Sequence, residues 1–167
     1  MTEATLEQRI QQLEDIEQIK KLKALYCKYC DGNWPGPSHP DPDKIADLFT
    51  DDAESETPFH GKIVGKEAHI AHYQRCQATP FCVHWVTNPI IEINGDNASG
   101  EWWLLVASTS PAGGANWTGA VYEETYQRTD DGWKIKTMNL KVGFVCPYEQ
   151  GWATPSERTS PPLESVD

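Results

Sequence analysis

The chain has 167 residues and a formal net charge of -11, enough length for one domain with a sizeable core. Its acidity and the lack of a basic stripe exclude nucleic acid and anionic membranes as expected partners. No apolar run is long enough to span a bilayer. The first residues lack the basic and apolar regions of a signal peptide, so a cytoplasmic location is expected. Five cysteines are an odd, scattered set, which suits reduced thiols. Seven tryptophans exceed what a core of this size needs, and some are expected to line a pocket for a flat ligand.

Thr5 with Gln8 three residues on is a capping-box signature. Apolar residues then recur at Leu6, Ile10, Leu13, Ile16, Ile19, Leu22, Leu25 and Tyr29, the spacing of one helix face. Gly32 tolerates the left-handed geometry that closes a helix, so the first helix ends at Cys30 or Asp31. That places a carboxylate beside whatever the apolar face covers, suited to a base or a proton shuttle; a solvated turn aspartate is the alternative. Residues 32–40 form a Pro- and Gly-rich loop in which Trp34 is positioned to cover a pocket. Asp41-Pro42 is an N-cap with proline at the first helical position, opening a short helix from Asp43 to Phe49. A short strand over 53–57, a return strand over 59–65 and a helix over 66–76 with Ile70 and Tyr73 on its apolar side follow.

From Phe81 the chain becomes rich in β-branched and aromatic residues. Four long antiparallel strands are expected over 81–94, 97–110, 115–129 and 133–145, with Asn94-Gly95-Asp96 and Asp130-Asp131-Gly132 as hairpin turns. After Cys146, prolines and polar residues mark a tail over 147–167, either disordered or laid across a neighbouring subunit, so residues 1–146 form the domain. Helices first and a long antiparallel sheet after is an α+β pattern. A strongly curved sheet around the first helix would make a cone with an open mouth.

Alternation puts His84 on one strand face with Cys82 and Val86, and Trp85 on the other. A histidine among apolar neighbours points inward, either bonded to a backbone carbonyl or paired with Asp31. In the pair, the carboxylate fixes the imidazole tautomer and leaves the other nitrogen to take or give a proton. Tyr26 is either a core aromatic or an acid for a leaving hydroxyl. Cys27-x-x-Cys30 lacks the further ligands a zinc site needs. His69, His72 and Cys76 share a helix face expected to be solvated, with no fourth ligand, so no metal and no cofactor are expected. No phosphate loop or nucleophile elbow is present. Trp34, Trp102, Val106, Trp117, Asn139 and Lys141 are the candidate substrate-binding residues. Lys141 has a salt-bridged surface lysine as its alternative.

Four stretches carry a resemblance: Ile45 to Ala53, Gly61 to Glu67, Gly119 to Arg128, and Asp131 to Ile135. Together they resemble the nuclear transport factor 2-like superfamily, in its SnoaL-like branch, over about Leu13 to Phe144. Within it the chain is most similar to cofactor-free lyases, the group of scytalone dehydratase, bile-acid 7α-dehydratase and lindane dehydrochlorinase. The resemblance implies an aspartate and histidine at Asp31 and His84 as catalytic residues, with Tyr26 in support. Val106 departs from it, standing where the bile-acid enzyme has a further aspartate. The expectation is therefore a lyase that eliminates water from an apolar aromatic or polycyclic alcohol. A lignin-derived diaryl compound fits, losing its hydroxyl to give a quinone methide and then a proton or formaldehyde. The alternatives are a ketosteroid-type isomerase or polyketide cyclase, and a binding module without activity. The resemblance and the outward tryptophans together imply a homo-oligomer, a trimer in preference to a dimer.

Overall fold

The computed structural model describes residues 4–32, 39–110 and 113–153. Helix α1 (Leu6–Asp31) opens on the expected capping box. Gln8 N–H donates to the Thr5 hydroxyl at 3.2 Å, and Thr5 N–H donates back to the Gln8 side chain at 2.9 Å. It closes on Gly32, which sits in the left-handed region at φ 71°. A side chain there would strike the His39 backbone, 2.3 Å from an added Cβ. Helix α2 (Pro42–Ala46) is capped by Asp41, as expected, but stops short of Phe49. Phe49 instead opens β1 (Phe49–Thr57), because Leu48 accepts the Ile135 N–H and the chain joins the sheet there. Tertiary pairing overrides a local helical preference at that point.

Then come β2 (Gly61–Val64), α3 (Lys66–Cys76), β3 (Phe81–Asn94), β4 (Asn97–Thr109), β5 (Ala115–Thr129) and β6 (Gly132–Pro147). The six strands form one sheet in the order β2-β1-β6-β5-β4-β3. The four long strands make the expected antiparallel meander, while β1 lies parallel to β6. Register shifts bend the sheet. One lies between Thr87 and Ile90, where Asn88 takes a positive φ of 53°; two more separate β5 from β6, at Gly119/Ala120 and Thr125/Tyr126. Bulges of this kind increase local twist and curvature, so the sheet wraps the C-terminal part of α1 without closing.

The buried face of α1 differs from the apolar stripe. Leu6, Ile10 and Leu13 are exposed, and the face that packs on the sheet runs through Asp15, Ile19, Leu22, Lys23, Tyr26, Cys27, Cys30 and Asp31. Three of these residues, Asp15, Lys23 and Asp31, carry charge, spaced every eighth position, and each meets a strand partner. Asp15 receives both terminal nitrogens of Arg128, at 2.8 and 2.6 Å, and the Trp133 indole N–H at 3.1 Å. Lys23 donates to Glu124 at 2.5 Å with both side chains out of solvent. Asp31 meets His84. Around them Ile19, Phe49, Trp102, Tyr126, Trp133 and Ile135 form the core. Among the described residues, no helix is long and apolar enough to cross a membrane.

Candidate active site

A cavity of about 550 Å³ opens between the C-terminal end of α1, helix α3 and the inner face of β3 to β6. That is within the range of small-molecule sites. Leu104, Val106, Met138, Leu140 and Val145 give it apolar walls, and Tyr26, Tyr73 and His84 bring polar atoms to it.

Asp31 stands behind His84 and holds it twice. One carboxylate oxygen contacts His84 Nδ1 at 2.6 Å, and the other accepts the His84 backbone N–H at 3.0 Å. The helix cap delivers the carboxylate, and strand alternation turns the imidazole inward beside Cys82. With Nδ1 taken, Nε2 is the nitrogen left for a ligand. Burial alone would push the imidazole down. The Cys82 sulfur and the Asp31 carboxylate outweigh it and push His84 up to about 10. At neutral pH the resting residue is therefore an imidazolium with a proton to give.

Tyr26 sits in a nest of rings, edge-on to Phe49, Tyr73 and Tyr122. Its hydroxyl oxygen accepts from the Tyr73 hydroxyl at 3.3 Å. Burial holds the Tyr26 phenol well above its usual range, so it stays a hydrogen-bond donor. Below the rings, Lys23 Nζ lies 3.3 Å from the Tyr122 centroid and 4.7 Å from that of Tyr26, cation–π contacts that fix both tyrosines.

The profile of the SnoaL-like domain family matches residues 11–139. The chain belongs to the SnoaL-like family. Solved structures agree on the fold of this SnoaL-like chain. A hexachlorocyclohexane dehydrochlorinase, LinA type 2, superposes at a TM-score of 0.74 with 20% identity, over 92% of this chain and 98% of that one. A proposed aromatic ring hydroxylase from Novosphingobium aromaticivorans DSM gives 0.73 with 22% identity, over 83% and 96%. A proposed scytalone dehydratase from Novosphingobium aromaticivorans DSM 12444 gives 0.71 with 19% identity, over 82% and 89%. No curated protein matches at a significant level.

The cavity of the SnoaL-like chain holds only part of the expected substrate-binding set. Val106 lines it, directly across the ladder from His84. Trp102 shares the inward face but lies beyond the cavity, its indole N–H bonded to the Tyr126 hydroxyl at 2.8 Å. Trp117 is on the outer face, its ring 6.1 Å from that of Trp85. Asn139 is also outward, on a surface groove with Glu101 and Glu123. Lys141 is exposed and ion-paired with Glu123, the surface alternative. Trp34 lies outside the described residues.

Helix α3 corrects the sequence reading as well. Its histidine face is not solvated: His69 is buried, bonded to Ser55 Oγ at 3.0 Å and to the Gly65 carbonyl at 2.8 Å. His72 and Cys76 line the cavity, joined by His60 from the turn between β1 and β2. Burial pushes His72 down to about 4, which leaves it neutral. The signal for these residues was their i, i+4 spacing; the contribution of His60 depends on a turn 12 residues away and was not legible.

Proposed function

We propose that the chain is a lyase that eliminates water from an apolar aromatic alcohol by proton transfer through His84. The observation that supports this most is the Asp31-clamped imidazolium opening on an apolar cavity. With a para-hydroxybenzylic alcohol, His84 gives its Nε2 proton to the benzylic hydroxyl as the carbon–oxygen bond breaks. Water leaves, the phenol proton passes to solvent water, and a quinone methide forms; the phenolate produced in the second step takes a proton back from solvent. Neutral His84 then takes a proton from the neighbouring carbon, or from a neighbouring hydroxymethyl oxygen with release of formaldehyde. Either path returns an electron pair to the ring, makes a carbon–carbon double bond and restores the imidazolium. Asp31 keeps the ring oriented and stabilises the charged form. Tyr26 donates to an oxygen of the bound molecule. A cavity of about 550 Å³ with mostly apolar walls supports a two-ring substrate such as a lignin-derived diaryl alcohol.

The test is turnover of a para-hydroxyphenyl benzylic alcohol beside melting temperature in the same variants. Asp31→Asn and His84→Ala each lower turnover by at least about a hundredfold with little loss of melting temperature. The double variant is little worse than the worse single, because the two act as one unit. Near-native turnover in Asp31→Asn, with melting unchanged, sinks the mechanism.

A further inference from the structure

We propose that His60, His72 and Cys76 form a binding site for a zinc-class divalent ion, with one coordination position open to the cavity. This goes beyond the elimination reading and does not rest on it. The ligand atoms of the three residues lie within 4.8 Å of one another, and all three residues line the cavity. His72 and Cys76 are one helical turn apart on α3, so their side chains share a face. Their Nε2 and Sγ atoms are 3.5 Å apart. Tetrahedral zinc, with bonds of about 2.0 Å to nitrogen and about 2.3 Å to sulfur, sets a nitrogen–sulfur edge of about 3.5 Å. That pair is already at ligand spacing.

His60 completes the set from a separate segment. Its ring packs edge-on to His72, with centroids 4.5 Å apart. The turn carrying it is pinned, since the Thr57 hydroxyl accepts the backbone N–H groups of Phe59 and His60 at 3.3 and 3.1 Å. The backbone positions are thus fixed before any ion arrives. Two imidazoles and a thiol, with no carboxylate, select a borderline-soft ion over magnesium or calcium. Three protein ligands leave the fourth position to a cavity ligand, the arrangement of zinc sites that bind substrate. A second cluster, Asp31, Cys82 and His84, is less suited, because one Asp31 oxygen is already taken by His84 Nδ1 and the other by the His84 backbone N–H. The open position would take an oxygen donor of the bound molecule, a phenolate or carboxylate.

The experiment uses the full chain, treated with a chelator and desalted. Zn²⁺ is titrated by calorimetry, and Co²⁺ is titrated as a spectroscopic stand-in. The expected result is one Zn²⁺ per chain, and with Co²⁺ a near-ultraviolet thiolate charge-transfer band with intense tetrahedral visible bands. Cys76→Ser removes the charge-transfer band, Cys82→Ser keeps it, and His60→Gln weakens Zn²⁺ at least roughly tenfold. His60 lies at the exposed rim, so His60→Gln keeps the fold and remains decisive if Cys76→Ser does not fold. No saturable Zn²⁺ binding overturns the proposal. So does a charge-transfer band that survives Cys76→Ser or disappears in Cys82→Ser, and so does wild-type affinity in His60→Gln.

Discussion

Asp31 spends both carboxylate oxygens on one residue, and the consequence is a pH profile. Because His84 acts first as a proton donor, kcat/KM is level through neutral pH and falls as pH climbs through about 10. Asp31→Asn moves that descending limb to lower pH, so the variant loses more activity at about pH 8 than at about pH 6. Stability follows the same titration. A group whose folded value is raised stabilises fully below its unfolded value, here 6.5, and loses that contribution as pH rises through about 10. Melting temperature measured from pH 6 to 10 therefore falls in the wild type more than in Asp31→Asn. Asp31 and His84 were legible because a helix stop and a strand alternation fix each direction locally. Asn139 and Lys141 had a usable signal, since Met138, Leu140 and Val142 between and beside them alternate as the inward set. Trp117 had none: β5 carries apolar residues on both faces. Trp102 was placed on the correct face at the wrong depth, and alternation holds no information about depth.

At the scale of elements, close approach between neighbours decides most of what the sequence left open. Gly119 on β5 faces Phe144 on β6, and a Cβ there would lie 2.1 Å from the phenyl ring. Phe144 in turn packs on Trp152, with centroids 5.8 Å apart. Gly119→Ala pushes the ring aside and costs about 1–3 kcal/mol. In Phe144→Ala the same change costs little, and thermal melts of the four-variant cycle read the coupling. The buried Lys23–Glu124 pair ties α1 to β5, with the Tyr126 hydroxyl donating to Glu124 from the same strand. Lys23→Met leaves that carboxylate buried without its cation and costs about 3–5 kcal/mol in urea unfolding, while replacing both partners with apolar residues recovers much of the loss. Sequence periodicity found α1 and both its ends but chose the wrong stripe, because it counted apolar residues and the packed face carries three charges. Leu6, Ile10 and Leu13 continue the 3.6-residue rhythm into a part of the helix that has no sheet beneath it.

For the whole molecule, the outer sheet face presents the apolar residues that strand alternation turned outward. Trp85, Trp103 and Leu105 are exposed there. Trp85 and Leu105 pair across β3 and β4, and Leu105 meets Gly119 of β5. An apolar sheet surface of this kind suits a contact between copies of the chain. The expected outcome is a homo-oligomer, a trimer ahead of a dimer, by light scattering at micromolar concentration, and Trp103→Glu lowers the mass toward that of one chain. A monomer mass for the wild type refutes it. The α+β order and the meander were legible from turn chemistry and β-branched runs. The parallel pairing of β1 with β6 was not, because two segments some eighty residues apart leave no local trace of their meeting.

The three charges on the packed face of α1 act as wards on a key. Sliding the helix along the sheet by one turn, about 5.4 Å, would part Asp15 from Arg128, Lys23 from Glu124 and Asp31 from His84 in the same motion. The buried charges of Asp15, Lys23, Glu124 and Asp31 would then lose their partners. Near-misses of the docked helix are excluded together, and partial docking has no stable resting place. The helix seats fully or stays off the sheet, so tryptophan fluorescence and far-ultraviolet ellipticity should trace one superimposable unfolding curve.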